Sequence, residues 1–462
     1  MKKNFVFFLL YIFFSCFLPV FSQDKTPFCE LDYEAEVIKQ LDITPVYIDL
    51  RECITIAILN SSLLKSSYSL YESKDFEYKY SLTGFLPQIG LRAYTSFIKG
   101  QLLVGGALIA DLNEQALFGA IYLKHDLTNG GKLFFEILSS KNLKKAQYYN
   151  YQGTFEQLLY ETAISYYELI QEKLFIQNLL TALCERKYQY EITKARYEVG
   201  EGEKYDVLRT QIEVKQNEAE LIDAIVKFRI KQAHLATLIG LDATSSIMPI
   251  EKDIKQYHLL GNLTTNEIYE NAIKILPNIK KQEAEIASLK NQRNQNFSDI
   301  IPKFSFDLTY SSQGTVKLGS LPNATATINV DIPFGDRILL GTIAKYKALD
   351  KQIKALEYKL VYEKNVVREN ILTSFETSKK TLEKISILET QHDLATKSQD
   401  IVSMKFFEGE EELLNVIQSQ TRKTQTELEL SRTKVAYNIS QLELLYFSGL
   451  ISVENILNGY SP

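Results

Sequence analysis

Three consecutive acids, Glu410, Glu411 and Glu412, follow Gly409, and two neutral amides, Asn415 and Gln418, stand just beyond them. Carboxylates this close act through their field rather than by making bonds. Gathered around an aperture they favour cations, and held together they repel one another. The same acids also suit the solvated start of a helix, where they complement its dipole. Other reactive residue types are dispersed. His125, His234, His258 and His392 stand singly, which supports no metal site. The chain has no Gly-x-Ser-x-Gly, no His-Glu-x-x-His and no phosphate-cradling glycine loop. Neither catalysis nor a cofactor is expected.

The acids belong to a pattern that occurs twice. "RYEVGEGEKYDVLRTQ" (196–211) lies over "KFFEGEEELLNVIQSQ" (405–420), and the match continues without a gap. Gly200 falls on Gly409, Val207 on Val416, Gln211 on Gln420, Leu221 on Leu430, and Gly240-Leu241 on Gly449-Leu450. Upstream, Ala57 aligns with Ala272, Ser62 with Pro277 and Pro87 with Pro302. This reads as an internal duplication.

Long helices must carry these corners. Neither glycine nor proline interrupts Thr154–Val199, Glu203–Ile239, Thr342–Glu408 or Glu410–Ser448, stretches rich in Leu, Glu, Lys, Gln and Ala. Apolar residues recur there at coiled-coil spacing: Val214, Leu221, Ile225, Phe228, Leu235 and Ile239 in one copy, Leu428, Val435, Ile439, Leu442 and Tyr446 in the other. Each copy therefore predicts a helix that runs to a glycine, turns, and returns. Ahead of each pair the period changes to two. "PKFSFDLTYS" (302–311) and "ATATINVDIPFGD" (324–336) alternate apolar with polar residues, as do "PQIGLRAYTSF" (87–97) and "LFGAIYLKHDLTNGG" (117–131), with a longer loop at Gly105-Gly106. The expected order is a short helix, two strands and two long helices, repeated.

At the N-terminus, Lys2 and Lys3 precede an apolar run from Phe5 to Phe21, and Val20 and Ser22 suit signal-peptidase cleavage before Gln23. A lipid anchor at Cys16 is disfavoured by "FFSC", which lacks the usual aliphatic residue, and by the apolar Phe17-Leu18 that follow. Cys29, Cys53 and Cys184 then remain, odd in number and widely spaced, so no disulfide framework is expected. The net charge of −5 offers no attraction for nucleic acid. Past residue 22 no apolar run is long enough for a membrane-spanning helix. Membrane insertion would require a barrel. Four strands cannot close one, but three copies would supply twelve.

In this order and spacing, the motifs resemble the TolC-type outer membrane efflux proteins. The residues that carry the resemblance are "LP" and "IP" before the first strands, "LTNGGK" and "IPFGDR" after the second, and the two glycine corners. It runs from about Asp49 to Leu450. It implies an α+β membrane protein in the cell outer membrane, with most of its mass in the periplasm. As a homotrimer it would form a 12-stranded β-barrel, four strands per protomer, continued by an α-helical coiled-coil barrel. The implied organisation is a signal peptide (1–22), an N-terminal periplasmic segment (23–48), a first repeat (49–241), an inter-repeat equatorial segment (242–264), a second repeat (265–450) and a C-terminal segment (451–462).

The function implied is an exit channel for efflux or type I secretion, reached through a periplasmic adaptor and, via it, an inner-membrane pump. Gly200, Tyr205, Asp206, Val207, Gly409, Leu414, Asn415 and Val416 become the periplasmic tips where the adaptor docks. Glu410, Glu411, Glu412, Asn415 and Gln418 would line the aperture. Some relatives carry acidic rings where this chain has the neutral Asn415 and Gln418. The alternative is a non-conducting exported coiled coil, such as an envelope spacer or adhesin stalk.

Overall fold

A computed structural model describes residues 35, 38–39, 44–104, 107–250, 264–315, 319–333 and 336–458. The expected leader with Cys16, Cys29 and most of segment 23–48, Gly105-Gly106, His258 with the rest of 251–263, Gly335 and residues 459–462 lie outside them.

The order is β1 (Val46–Ile48), α1 (Leu50–Asn60), α2 (Ser62–Leu82), β2 (Gln88–Val104), β3 (Ala107–Asn129), α3 (Lys132–Glu198) and α4 (Lys204–Leu238), followed by β4 (Ile247–Pro249). The second half runs α5 (Thr265–Ile275), α6 (Pro277–Asn296), β5 (Lys303–Thr315), β6 (Gly319–Asp331), α7 (Asp336–Glu408) and α8 (Leu413–Phe447), and closes with α9 (Val453–Asn458). β2, β3, β5 and β6 form one antiparallel sheet in that order, while β1 and β4 pair in parallel.

The halves correspond in local detail. α1 and α5 both start with a capping box, Asp49 with Glu52 and Thr264 with Glu267, in which side chain and backbone satisfy each other's N–H groups. The single short helix expected before the strands is two helices in each half, broken at Ser61 and Leu276. Both residues have φ −54°, with ψ 116° and 123°. Leu276 precedes Pro277, which pushes it out of helical ψ. Ser61 reaches the same conformation as the N-cap of α2, its hydroxyl accepting from the Leu64 N–H.

Two further boundaries differ from expectation. β2 and β3 continue until Val104 pairs with Ala107, so most of the expected loop is strand. A Gly-Gly pair between apolar flanks is a hairpin signal. α3 begins at Lys132 rather than Thr154, directly after Gly130 and Gly131 with φ of 59° and 80°. Gly153 therefore lies inside the helix, where a Cβ would come within 3.1 Å of the Asn278 side chain. Here glycine permits close packing and does not end the helix.

The chain divides into two compact units. One contains Glu172–Arg229 and Gln391–Leu428; its core groups Phe406, Leu413 and Val416 with Ile192, Val402 and Ile417. The other holds the sheet and a core of Ile268, Tyr269, Ala272, Leu276, Ile279, Ile371 and Leu444. Val214, Leu221, Phe228, Leu235 and Ile239, expected at a helix seam, are all buried, as are Val435 and Leu442. Cys184 is disulfide-bonded, which corrects the expectation drawn from cysteine spacing. Separation along a sequence does not bound distance in space.

Candidate functional site

Side chains of paired residues share a sheet face, so register decides what each face presents. On one face lie the rows Ala326–Leu308–Leu123–Ile89 and Ala324–Tyr310–Ile121–Leu91, with Ile328 beside Phe306. On the other lie Thr327–Asp307–Lys124–Gln88 and Thr325–Thr309–Tyr122–Gly90. One surface is thus apolar across four strands and the other polar. The apolar rows stay uncovered: Ile328 is 68% exposed and Leu91 81%. β2 and β6, at the sheet's edges, each pair on one side only.

The two corners are built alike. Gly200 and Gly409 have φ of 82° and 80°, and a Cβ on either would meet nothing within 4 Å. At the first, Gly200 N–H donates to Tyr197 O and Glu201 N–H to Arg196 O; at the second, Gly409 N–H donates to Phe406 O and Glu410 N–H to Lys405 O. This pair of hydrogen bonds to carbonyls of the last turn, with a left-handed glycine, is how a helix stops while keeping its carbonyls satisfied. Gly240 and Gly449, at φ of 77° and 71°, repeat it at the far ends of α4 and α8. There, however, a Cβ would press to 2.9 Å on the Asn60 backbone or on the Ile275 side chain.

Around these corners Tyr205 is exposed, Asp206, Val207 and Leu414 are half-buried, and Asn415 and Gln418 are exposed. Val416 is 7% exposed and sits in the core with Phe406 and Leu413, so its side chain supports the corner rather than offering a surface. Glu410 and Glu412 are exposed and Glu411 half-buried, and none forms an ion pair among the described residues. Asn415 donates its amide to the Glu411 carboxylate. The residue that sequence reading missed is Arg196. Its guanidinium donates to Phe406 O at 3.0 Å and lies 4.4 Å from the Phe406 ring, joining the first corner to the end of α7. An arginine among many charged residues carries no signal of that kind.

A second polar group lies where α3 meets α8. Tyr160 and Tyr446 stack with ring centres 4.6 Å apart. Burial pushes Glu156 up to about 7. Burial, and then the Glu443 charge, pushes Tyr160 up to about 12. Because the folded pKa of Glu156 lies above its unfolded value of 4.5, the folded chain holds this proton more tightly. The stability it contributes is full below about pH 4.5 and is lost as pH rises through about 7. Glu156→Gln should leave the melting temperature almost unchanged at pH 5. At pH 8 it should stabilise the detergent-solubilised protein by on the order of 2 kcal/mol. Equal shifts at both pH values would show that packing, not ionisation, sets the effect.

Among the described residues no cluster of His, Cys, Asp and Glu could hold a metal, and no helix is long and apolar enough to cross a membrane.

Residues 77–241 match the model of the family described as outer membrane efflux protein. Nodulation protein T of Rhizobium leguminosarum bv. trifolii is 23% identical over 262 residues, 54% of this chain and 54% of that protein. The chain thus spans about half the length of the curated relative it matches. The outer membrane channel CmeC of Campylobacter jejuni is similar in structure, with a TM-score of 0.77 at 14% identity, over 93% of this chain and 91% of that one. The outer membrane protein VceC of Vibrio cholerae gives 0.73 at 15% identity, over 87% and 96%. At such identities the likeness is one of fold. The resemblance drawn from the sequence motifs holds.

Proposed function

We propose that this chain, which matches the outer membrane efflux protein family and shares the fold of solved outer membrane channels, is an exit duct in the outer membrane. It assembles as a homotrimer. The observation that carries this reading is the sheet. It has one apolar face, one polar face and two edges open to pairing. Three such sheets joined edge to edge make a twelve-stranded wall, lipid on one side and water on the other. Exposed apolar residues also line α4 (Leu208, Ile212, Ile222, Val226 and Ile230) and α7 (Ile387, Leu394 and Ile401), faces that neighbouring copies would cover.

The duct is a passage and carries out no reaction. The corners at Gly200 and Gly409, with Tyr205, Asp206, Val207, Leu414 and Asn415, receive a periplasmic adaptor that links the duct to an inner-membrane pump. The two halves arose by duplication. Purified protein should run as a heat-sensitive trimer and add discrete conductance steps to a planar bilayer. A chain that does neither is the structural stalk instead.

Glu410, Glu411 and Glu412 line the entrance in this reading. Three copies place nine carboxylates in one ring, without ion-pair partners among the described residues of the protomer. The channel should therefore be cation-selective, and replacing all three with glutamine should weaken that preference and its dependence on salt, since screening acts within about 10 Å at 0.1 M. Asn415→Ala should alter conductance more than selectivity. The readout is the reversal potential in a salt gradient. An unchanged potential in the triple variant would put these acids on the solvated outside of the corner.

A further inference from the structure

The four strands of the large sheet differ in length. β5 and β6 have 13 residues each, β2 has 17 and β3 has 23. The last rung shared by all four is Ser96–Ala116–Thr315–Gly319. Beyond it, among the described residues, β2 and β3 pair only with each other, from Phe97 opposite Gln115 to Val104 opposite Ala107. The eight residues that β2 contributes make this ribbon about 27 Å long.

Register carries both faces of the sheet into the ribbon. The apolar face, with Ile89, Leu91, Ile121 and Leu123, passes through Phe97 and Gln115. It then holds Lys99 opposite Asn113 and Gln101 opposite Asp111. The polar face passes through Tyr94 and Phe118, whose rings stack with centres 4.5 Å apart. It then holds Ile98 opposite Glu114, Gly100 opposite Leu112, Leu102 opposite Ala110 and Val104 opposite Ala107. Glu114, on the first of these rungs, is their one charged member. The apolar and polar sides have changed places. Only past the register shift at Leu102/Leu103 does the other side carry leucines again, Leu103 opposite Leu108.

On the duct reading, on which this inference rests, a strand of about 9–11 residues crosses the bilayer. β5 and β6 are long enough to do so, and the ribbon then stands outside the hydrocarbon, at the end of the sheet remote from the helices. A polar outer side suits the water there. An apolar inner side calls for a cover. We propose that the ribbons of a trimer cover one another, their inner sides meeting on the threefold axis as an apolar cap over the outer mouth. Rotational symmetry turns every inner side toward the same axis, so each is offered two copies of itself. The reach suffices. Twelve strands about 4.8 Å apart and tilted by about 40° enclose a radius of roughly 12 Å, less than half the ribbon's length. Gly100 and the register shift let the ribbon bend inward.

Single cysteines test the contact, with the parent chain as background. Cys53 is buried and Cys184 is already bonded. In whole cells a short bis-maleimide should join Leu112→Cys to a second copy, seen as a dimer after denaturation. Asn113→Cys, on the outer side, should give none. Thr325→Cys, on the polar face below the cap, should react with a small maleimide and be protected from a bulky polymer-linked one added outside. Replacing residues 98–114 with an Asn-Gly turn should abolish that protection. Leu102→Asp with Leu112→Asp should do the same and serves if the shortened chain does not assemble. Gln101→Asp should keep it. Failure of Leu112→Cys to cross-link overturns the cap, even if protection persists, because another molecule then lies on the inner side. Free bulky labelling of Thr325→Cys beside an intact ribbon overturns the cap alone. If Thr325→Cys resists even the small reagent in every variant, no water-filled lumen exists and the duct itself falls.

Discussion

Ile328→Arg should collapse the yield of outer-membrane trimer, while Thr327→Arg should leave it near that of the parent. The residues are neighbours in β6, yet the register places them on opposite faces. Ile328 lies beside Phe306, on the face that carries Leu308, Leu123 and Ile89. Thr327 lies beside Asp307, whose carboxylate would welcome an arginine. A lipid-facing arginine at mid-bilayer costs about 2–4 kcal/mol. In a trimer the cost is incurred in every copy. The measurement is the amount of heat-sensitive trimer in the outer membrane fraction. Equal yields for the two variants would refute the assignment of the faces.

The glycine corners give a second large contrast, because two are open and two are packed. Gly240→Val should prevent accumulation of folded protein. Its φ of 77° already disfavours a side chain, and the new Cβ would stand 2.9 Å from the Asn60 backbone, which cannot step aside. The combined strain and overpacking is roughly 3 kcal/mol or more. Gly409→Val meets no neighbour and bears only the left-handed strain, about 1–2 kcal/mol before the branched Cβ is counted. That variant should assemble as a trimer and fail in export, because the corner itself changes shape. Trimer yield and thermal melting report the first effect, and export in cells reports the second. Normal export by Gly409→Val would count against this corner as the adaptor's seat.

The long helices, the strands and the corners were legible because each rests on a local rule. Breaker-free, coiled-coil-spaced stretches became α4 and α8 almost to the residue. Alternation placed Phe304, Phe306, Leu308 and Tyr310 on one face, and the ladder keeps them there. What was not legible depends on neighbours distant in sequence. Gly153 reads as a break, yet it lies inside a helix because another helix passes close to it. The burial of Val416, the reach of Arg196 to Phe406 and the pairing of Cys184 are likewise long-range facts.

The two open edges of the sheet also set rules for a mixed population. If three copies close into one ring, as proposed, each must supply both edges, so one defective copy spoils the contributions of two sound ones. If a cell makes intact and edge-damaged chains in equal amounts and they join at random, about one ring in eight contains intact chains only. A change that spoils β6 but spares β2 would therefore be dominant, since the damaged chain can still enter a ring. A change that spoils both edges would be recessive, because such a chain never enters the ring at all.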